Sequence, residues 1–138
     1  MAEMSSAEAL DIVAITDLVN RLALGSDKAT VEQWSTLLTD DIHMDLFGSA
    51  STGRAATEEG SRARRASGRT GPGSGVRHLV TTINIDLAGD RATGDITVLL
   101  YMAVDTEPVL ARVVNYADTY VRTDDGWKLS HRVAPAPV

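Results

Sequence analysis

The side chains that could carry chemistry in this sequence are three histidines, nineteen acidic residues, arginines and tyrosines. The chain has no cysteine, which excludes disulfides, thiolate nucleophiles, zinc–thiolate sites and iron–sulfur clusters. It also lacks a G-x-S-x-G nucleophile motif. A neutral imidazole has an unperturbed pKa of about 6.5 and accepts a proton near neutral pH. This inventory favours histidine acid/base chemistry, with proton abstraction beside a carbonyl or hydroxyl group.

The histidines do not have the spacing of a metal site. His43, His78 and His131 form neither an H-x-x-x-H nor an H-x-H pattern, so we expect no metal and no cofactor. His43 shares one face of a predicted strand with Asp45. We favour a solvated polar face as the interpretation of that pair.

Other polar candidates lie in the second half of the sequence. Arg112 stands among apolar residues, where a charge is costly unless it is paired. It either faces a pocket or pairs with Asp95 or Asp118 on a sheet. Strand alternation places Tyr116 on the same face as Arg112. Tyr101 either lines a cavity as a hydrogen-bond donor or packs in the core or an interface.

Four arginines lie between residues 62 and 69. Such a run could attract an anionic ligand or the phosphopantetheine group of a carrier protein. A solvated helix face is the more common reason for a run of this kind, and it is the interpretation that we favour.

Length and composition favour one small domain over residues 1–138. Of these residues 43% are hydrophobic and 23% are charged, which is typical of a globular protein. The longest apolar run, 98–104, is far shorter than the roughly 20 residues of a membrane helix. No basic region precedes an apolar stretch at the start, so we expect no signal peptide and a cytoplasmic protein. The net charge of −6 argues against nucleic acid as a partner.

Three helices are predicted in the first half. A capping-box pattern at residues 5–8 precedes an apolar stripe at helical spacing that ends near Gly25. A second capping pattern at residues 30–33 opens a short helix that reaches Leu38. The third helix is expected over residues 54–67, on the surface.

The second half is rich in strand-forming residues. Together with an alternating segment before the third helix, it predicts strands at 42–47, 77–87, 91–104, 109–122 and 127–133. Residues 48–53 are predicted to form a polar turn and residues 67–75 a flexible loop. Segregated helices and strands predict an α+β fold, in which a curved antiparallel sheet and the helices enclose a conical pocket for a small ligand.

Four segments carry a resemblance to a known family: AITDLVNRLALGSDK, VEQWSTLLTDDIHMDL, GVRHLVTTINIDLAGDRATG and YADTYVRTDDGWKLSHR. From about Ile12 to Arg132 the chain resembles the SnoaL-like group of the nuclear-transport-factor-2-like superfamily. That group includes scytalone dehydratase, polyketide cyclases, ketosteroid isomerase and hexachlorocyclohexane dehydrochlorinase. The resemblance implies a cystatin-like α+β roll, a cone-shaped mixed sheet wrapped by three N-terminal helices. It also implies a homodimer or higher homo-oligomer, because such domains commonly pack sheet to sheet.

The resemblance also implies a site. In the dehydratase and dehydrochlorinase branch, an Asp in a Gly-x-Asp-Lys segment and a His near the start of the strand after helix three form a catalytic dyad. The matching residues here are Asp27 and His78. A carboxylate that accepts the Nδ1–H of a base fixes its tautomer and stabilises the imidazolium. Arg132 matches a third family feature, either as a contact for a substrate oxyanion or as the partner of an acidic neighbour.

Departures from the family pattern bear on the substrate. Leu22 stands where the dehydrochlorinase pattern has a cationic pocket residue, and the tyrosines and lid of scytalone dehydratase have no counterpart. We therefore expect neither a chlorinated cyclohexane nor scytalone. The expected pocket lining is apolar, with three further polar candidates for substrate binding: Leu22, Trp34, Met44, Leu46, Val80, Leu100 and Met102, with Tyr101, Arg112 and Tyr116.

The leading hypothesis is a cofactor-independent lyase, isomerase or cyclase with His78 as general base and Asp27 as its orienting partner. Its substrate would be a small hydrophobic carbonyl or polyol compound of polyketide or other secondary metabolism. A noncatalytic ligand-binding or assembly module of the same fold is one alternative. Epoxide hydrolysis is another, and it would need two carboxylates and an arginine around a water, for which Asp95, Asp118 and Arg112 are candidates.

Overall fold

The structure is a computed structural model, and it describes residues 3–135. Three helices and six strands follow one another as α1 (Ser6–Lys28), α2 (Val31–Ser35), β1 (Leu38–Leu46), β2 (Ser49–Thr52), α3 (Arg54–Ala66), β3 (Arg77–Ala88), β4 (Arg91–Met102), β5 (Val109–Thr123) and β6 (Gly126–Ala134). The strands form one sheet in the order β2-β1-β6-β5-β4-β3. Only β1 and β6 run parallel among these neighbours. The predicted α+β fold with a mixed sheet is confirmed.

Helix α1 begins where the capping pattern predicts. The Ser5 hydroxyl accepts the Glu8 backbone N–H at 3.1 Å, and the Glu8 carboxylate accepts the Ser5 N–H at 3.1 Å. One face of α1 packs on the sheet and is buried. Near its end, a Cβ on Gly25 would lie 3.0 Å from Cδ1 of Trp34, so glycine permits this close approach. No helix within residues 3–135 is long and apolar enough to cross a membrane.

Helix α2 is shorter than predicted. It begins with the expected Thr30–Gln33 capping box but ends at Ser35, and residues 38–41 belong to β1. Leu38 is fully buried, and it pairs with Leu129 of β6. Pairing with a distant strand therefore outweighs the local helical pattern, because the pairing provides hydrogen bonds for the backbone of Leu38 and also buries its side chain.

The predicted polar turn at 48–53 contains an additional strand. Phe47 and Gly48 have φ angles of 58° and 86° and reverse the chain, so that β2 pairs antiparallel with β1 at the sheet edge. Its residues, Ser49–Thr52, are small and polar, and they show no apolar alternation. The prediction of a turn alone was wrong because the signal for an edge strand is weak in such a segment.

The hydrophobic core lies between α1, α2 and the inner face of the sheet. Its buried members include Ile15 and Leu22 of α1, Trp34 of α2, Ile96 of β4 and Leu129 of β6. Helix α1 therefore packs against the inner face of the sheet, while α3 contacts mainly β1, α2 and β2. This arrangement leaves space between α3 and the inner face of β4, β5 and β6.

Candidate active site

The end of α1 and the start of β3 bring Asp27 and His78 together. His78 Nδ1 lies 2.6 Å from Asp27 Oδ1, and the His78 backbone N–H donates to Asp27 Oδ2 at 2.9 Å. The Asp27 side chain is 2% exposed and that of His78 is 17% exposed. When the carboxylate accepts the Nδ1–H, the other ring nitrogen, Nε2, keeps a free lone pair.

Helix α3 and the loop after it hold the segment that carries Asp27. The Arg65 guanidinium donates to the backbone carbonyls of Ala29 and, at 3.1 Å, Gly25. The Thr70 hydroxyl donates to the Ser26 carbonyl at 3.4 Å. These contacts add hydrogen bonds to carbonyl groups at the end of α1, where helical carbonyls run short of backbone donors, although the Gly25 carbonyl also accepts the Ala29 N–H at 3.1 Å. The position of the carboxylate therefore depends on α3 as well as on α1.

A cavity of about 400 Å³ lies beside the dyad, with His78 in its wall. The cavity is mostly apolar, and its polar wall includes several arginines: Ser26, Trp34, Met44, Leu46, Phe47, Ser61, Arg64, Arg69, Thr70, Val76, His78, Leu100, Met102, Ala111, Arg112, Tyr116 and Arg132. A second cavity of about 20 Å³ lies between α1 and the sheet and shares Ser26, His78, Tyr116 and Arg132 with the first. Its size is enough for one water molecule.

Arg132 is buried in an ion pair beside the cavity. Its Nε and Nη2 atoms donate to Asp118 Oδ1 and Oδ2, each at 2.8 Å, and the Tyr120 hydroxyl donates to Asp118 Oδ2 at 2.7 Å. The guanidinium carbon lies 4.0 Å from the centre of the Tyr116 ring. Arg132 is therefore paired with an acidic neighbour and also lines the cavity, while its contact with a substrate oxyanion stays a prediction.

Burial sets the protonation state of this cluster. Burial lowers the pKa of the Arg132 guanidinium, but the Asp118 carboxylate, together with Tyr116 and Tyr120, outweighs this effect and raises the pKa above its ordinary value, so the group stays cationic. Burial raises the pKa of the Tyr116 phenol, and the nearby Arg132 only partly opposes this shift. The wall beside His78 therefore offers a cation and a neutral phenol.

The other predicted lining residues divide between the two cavities. Most lie in the wall of the larger one, and two lie in the smaller one: Trp34, Met44, Leu46, Leu100, Met102, Arg112 and Tyr116 in the first, Leu22 and Val80 in the second. Tyr101 lines neither cavity in the part of the chain that is described. Its neighbours Leu100 and Met102 face the larger cavity, and strand side chains alternate, so the prediction for Tyr101 was wrong.

The arrangement required for epoxide hydrolysis is not formed. Asp95 is exposed, between the inward-facing Gly94 and Ile96 of β4. Asp118 binds Arg132 through both oxygens, and the Arg112 guanidinium lies 4.5 Å from the centre of the Phe47 ring. Because these three polar groups point to different places, they cannot converge on one water molecule.

The cavity wall includes Arg64 and Arg69, for which the sequence predicts a solvated helix face. The buried Thr57 and Ser61 and the half-buried Arg64 follow one another at spacings of four and three, so α3 has an inward-facing stripe of polar residues. Apolar periodicity gave no sign of this stripe, because α3 contains almost no large apolar residue. The helical spacing of Thr57, Ser61 and Arg64 was the signal that could have revealed it.

The remaining two histidines lie away from the cavity. The rings of His43 and His131 stack with their centres 5.1 Å apart, and His43 Nδ1 lies 2.8 Å from the Thr52 hydroxyl. Within residues 3–135, no group of three His, Asp or Glu side chains is placed to hold a metal ion. The acid/base candidate in the cavity is thus His78.

Comparison with known proteins identifies the family. Residues 7–133 match the family model of the SnoaL-like domain. The chain belongs to the SnoaL-like domain family. No curated protein matches this SnoaL-like chain at a significant level.

Solved structures share the fold of this SnoaL-like protein. A Nostoc punctiforme protein of unknown function with a cystatin-like fold is 20% identical, with a TM-score of 0.79 over 99% of this chain and 96% of the other. A candidate scytalone dehydratase from Novosphingobium aromaticivorans is 19% identical, with a TM-score of 0.75 over 98% and 89%. A candidate dehydratase of the nuclear-transport-factor-2-like family from Streptomyces avermitilis is 16% identical, with a TM-score of 0.77 over 94% and 98%. At these identities the likeness concerns the fold.

Proposed function

We propose that this SnoaL-like protein is a cofactor-independent enzyme that removes a proton beside the carbonyl or hydroxyl group of a small molecule. The observation that carries the proposal is the 2.6 Å contact between His78 Nδ1 and Asp27 Oδ1 in the wall of the larger cavity. The carboxylate orients the ring and stabilises the imidazolium that forms, while Nε2 accepts the proton. The similar fold of two candidate dehydratases supports an elimination reaction.

Elimination of water from a β-hydroxy carbonyl compound illustrates the chemistry. Nε2 of His78 takes the proton from the α-carbon, and the electron pair of that bond moves to the carbonyl oxygen as an enolate. Arg132 and the neutral Tyr116 phenol lie in the same wall and stabilise the negative charge. When the carbonyl re-forms, the β-hydroxyl leaves with the proton of the imidazolium as water. Isomerisation and ring closure begin with the same proton transfer.

The cavity sets the size of the substrate. Its volume of about 400 Å³ falls in the range of roughly 300–1,000 Å³ that is usual for small-molecule sites. Trp34, Met44, Leu100 and Met102 give it an apolar surface. We therefore propose a substrate with an apolar body of one or two rings, as in polyketide or other secondary metabolism.

Hydrogen–deuterium exchange tests the proposal without a known substrate. A panel of bicyclic β-hydroxy ketones is incubated in deuterated buffer, and proton NMR follows loss of the α-proton and formation of the enone. We expect the wild type to accelerate exchange of the α-proton, and we expect the exchange rate with H78Q to be about 10²–10⁴-fold lower than with the wild type. H43Q is the matched control, since His43 lies outside the cavity. An unchanged rate in H78Q would overturn the proposal, and binding without accelerated exchange would favour a noncatalytic binding module.

A further inference from the structure

We propose that the ligand of this cavity is an organic anion, an apolar molecule with one carboxylate or phosphate group, and that Arg64 and Arg112 bind this group. The inference rests on the proposed function of the same cavity and adds the charge class of its substrate. It adds a charged group to the small hydrophobic carbonyl or polyol compound that the sequence predicts.

The sign of the charges in the cavity wall is the first observation. Arg64, Arg69, Arg112 and Arg132 line the larger cavity, and no Asp or Glu is among its lining residues within the described chain. The protein as a whole has a net charge of −6. A concentration of positive charge in a concave site of an acidic protein favours an anionic ligand, because low-dielectric walls strengthen the attraction.

The lack of internal partners for three of these arginines is the second observation. Several arginines outside the cavity wall pair with carboxylates, as Arg54 does with Asp40 and Arg122 with Asp11 and Asp90. Within the described residues, Arg65, Arg77 and Arg91 form no salt bridge, but they do not line the cavity. In the cavity, Arg132 has Asp118. Arg64, Arg69 and Arg112 form no salt bridge with any residue between 3 and 135. Their guanidinium groups are therefore available to a ligand.

Arg64 carries the strongest part of the argument because it is partly buried. Burial lowers the pKa of its guanidinium, and the nearby Arg69 and Arg65 lower it further. The Tyr116 phenol offsets this shift only in part. An unpaired cation in such a place is unfavourable, and an anion in the cavity removes that cost.

The position of Arg112 suggests how the ligand lies. Its guanidinium stacks on Phe47 at the exposed end of the cavity, where Met102 is also exposed. The buried part of the wall contains Trp34 and Met44. Guanidinium groups bind carboxylate and phosphate oxygens through paired donors, while the apolar wall takes the rest of the molecule.

Binding of three matched probes tests this inference. The probes are 2-naphthoate, 2-naphthyl phosphate and the neutral 2-naphthamide, and their Kd values are measured by isothermal titration calorimetry. We expect the wild type to bind at least one anion about tenfold more tightly than the amide, and R64Q and R112Q to lose this preference. R91Q is the matched control, because Arg91 is exposed at the start of β4 and lies outside the cavity. The tighter anion identifies the charged group.

The experiment separates this inference from the proposed function. H78Q should keep the preference for the anion while it loses exchange activity. Equal affinity for the anions and the amide in the wild type would overturn the inference, even if H78Q abolishes exchange. A preference that persists in both R64Q and R112Q would overturn it as well.

Discussion

Asp27 contacts His78 at two points, through the ring Nδ1 at 2.6 Å and through the backbone nitrogen at 2.9 Å. The first contact sets the tautomer of the ring. The second ties the same carboxylate to the start of β3, so the position of the base relative to the acid is fixed by the main chain. A single side-chain contact would leave the carboxylate free to rotate.

Replacing Asp27 with asparagine should impair both exchange and stability. The two hydrogen bonds from His78 use different oxygens of Asp27, and an amide has an NH2 group, which cannot accept, in place of one of them. We expect the α-proton exchange rate to fall about 10²–10⁴-fold and the free energy of unfolding to fall by about 1–3 kcal/mol. NMR exchange and urea unfolding measure the two effects. D17N is the control, since Asp17 is exposed on the same helix, and full exchange activity in D27N would contradict the role of the dyad.

Loss of Asp118 should destabilise the fold more than loss of an exposed acid. D118N leaves the buried Arg132 cation without its counter-charge. We therefore expect the free energy of unfolding, measured by urea denaturation, to fall by about 3–5 kcal/mol. D90N is the matched control, because Asp90 pairs with Arg122 in an exposed salt bridge, and it should change stability little. Similar losses in the two variants would show that burial of the Arg132–Asp118 pair is unimportant.

Alkaline pH should unfold the protein through its buried phenols. Burial raises the pKa of Tyr116 and of Tyr120, so the unfolded chain releases these protons first. Stability should therefore be unaffected below the ordinary tyrosine range of about 10 and fall as the pH rises through it. Urea unfolding at several pH values across this range measures how steeply the free energy of unfolding falls with pH. Y116F lacks one of the two buried phenol groups, so its free energy of unfolding should fall less steeply with pH than that of the wild type. An equal pH dependence in the two proteins would contradict this account.

A row of apolar side chains crosses the outer face of the sheet, and we propose that it forms a homodimer interface. Leu79 pairs with Leu99, and Leu99 pairs with Val113, so the three lie side by side. Leu79 is 45% exposed and Val113 is 62% exposed. Such a patch favours association. Size-exclusion chromatography with light scattering should give a dimer for the wild type and a monomer for V113K.

A control variant makes this test specific. L24K introduces the same charge at an exposed apolar position of α1, outside the outer face of the sheet, and should remain dimeric. A monomeric wild type would contradict the proposed interface, and so would a dimeric V113K.

Local signals in the sequence predicted most of the elements. In each capping box, at residues 5–8 and 30–33, the donors and acceptors of the hydrogen bonds lie within the same four residues. Both boxes could therefore be identified without knowledge of the fold. The end of α2 could not, because Leu38 joins β1 only when β6 lies beside it. β2 was missed for a related reason, since its polar residues depend on pairing with β1.

The site was predictable only in part. The pairing of Asp27 with His78 was implied by a family resemblance, since nothing in the residues themselves indicates a contact across 51 positions. The contact is present in the structure, and its catalytic role stays a prediction. The sequence predicts a solvated face for Arg64 because its helix shows no apolar stripe, and the side of this helix that lines the cavity is defined only once the sheet lies opposite it.

The parallel pairing of β1 with β6 affects how the chain can fold during synthesis. β1 needs β6 as its neighbour, yet β6 follows the other five strands within residues 3–135. A ribosome-bound chain that ends before Gly126 can form the β1–β2 hairpin and the β3–β4–β5 meander. Without β6, which lies between β1 and β5, these two parts cannot form one sheet. Leu38 and His43 then lack their partners on β6, Leu129 and His131, and the two half-sheets expose edges that favour aggregation. Completion of the core must therefore follow the emergence of β6 from the ribosome.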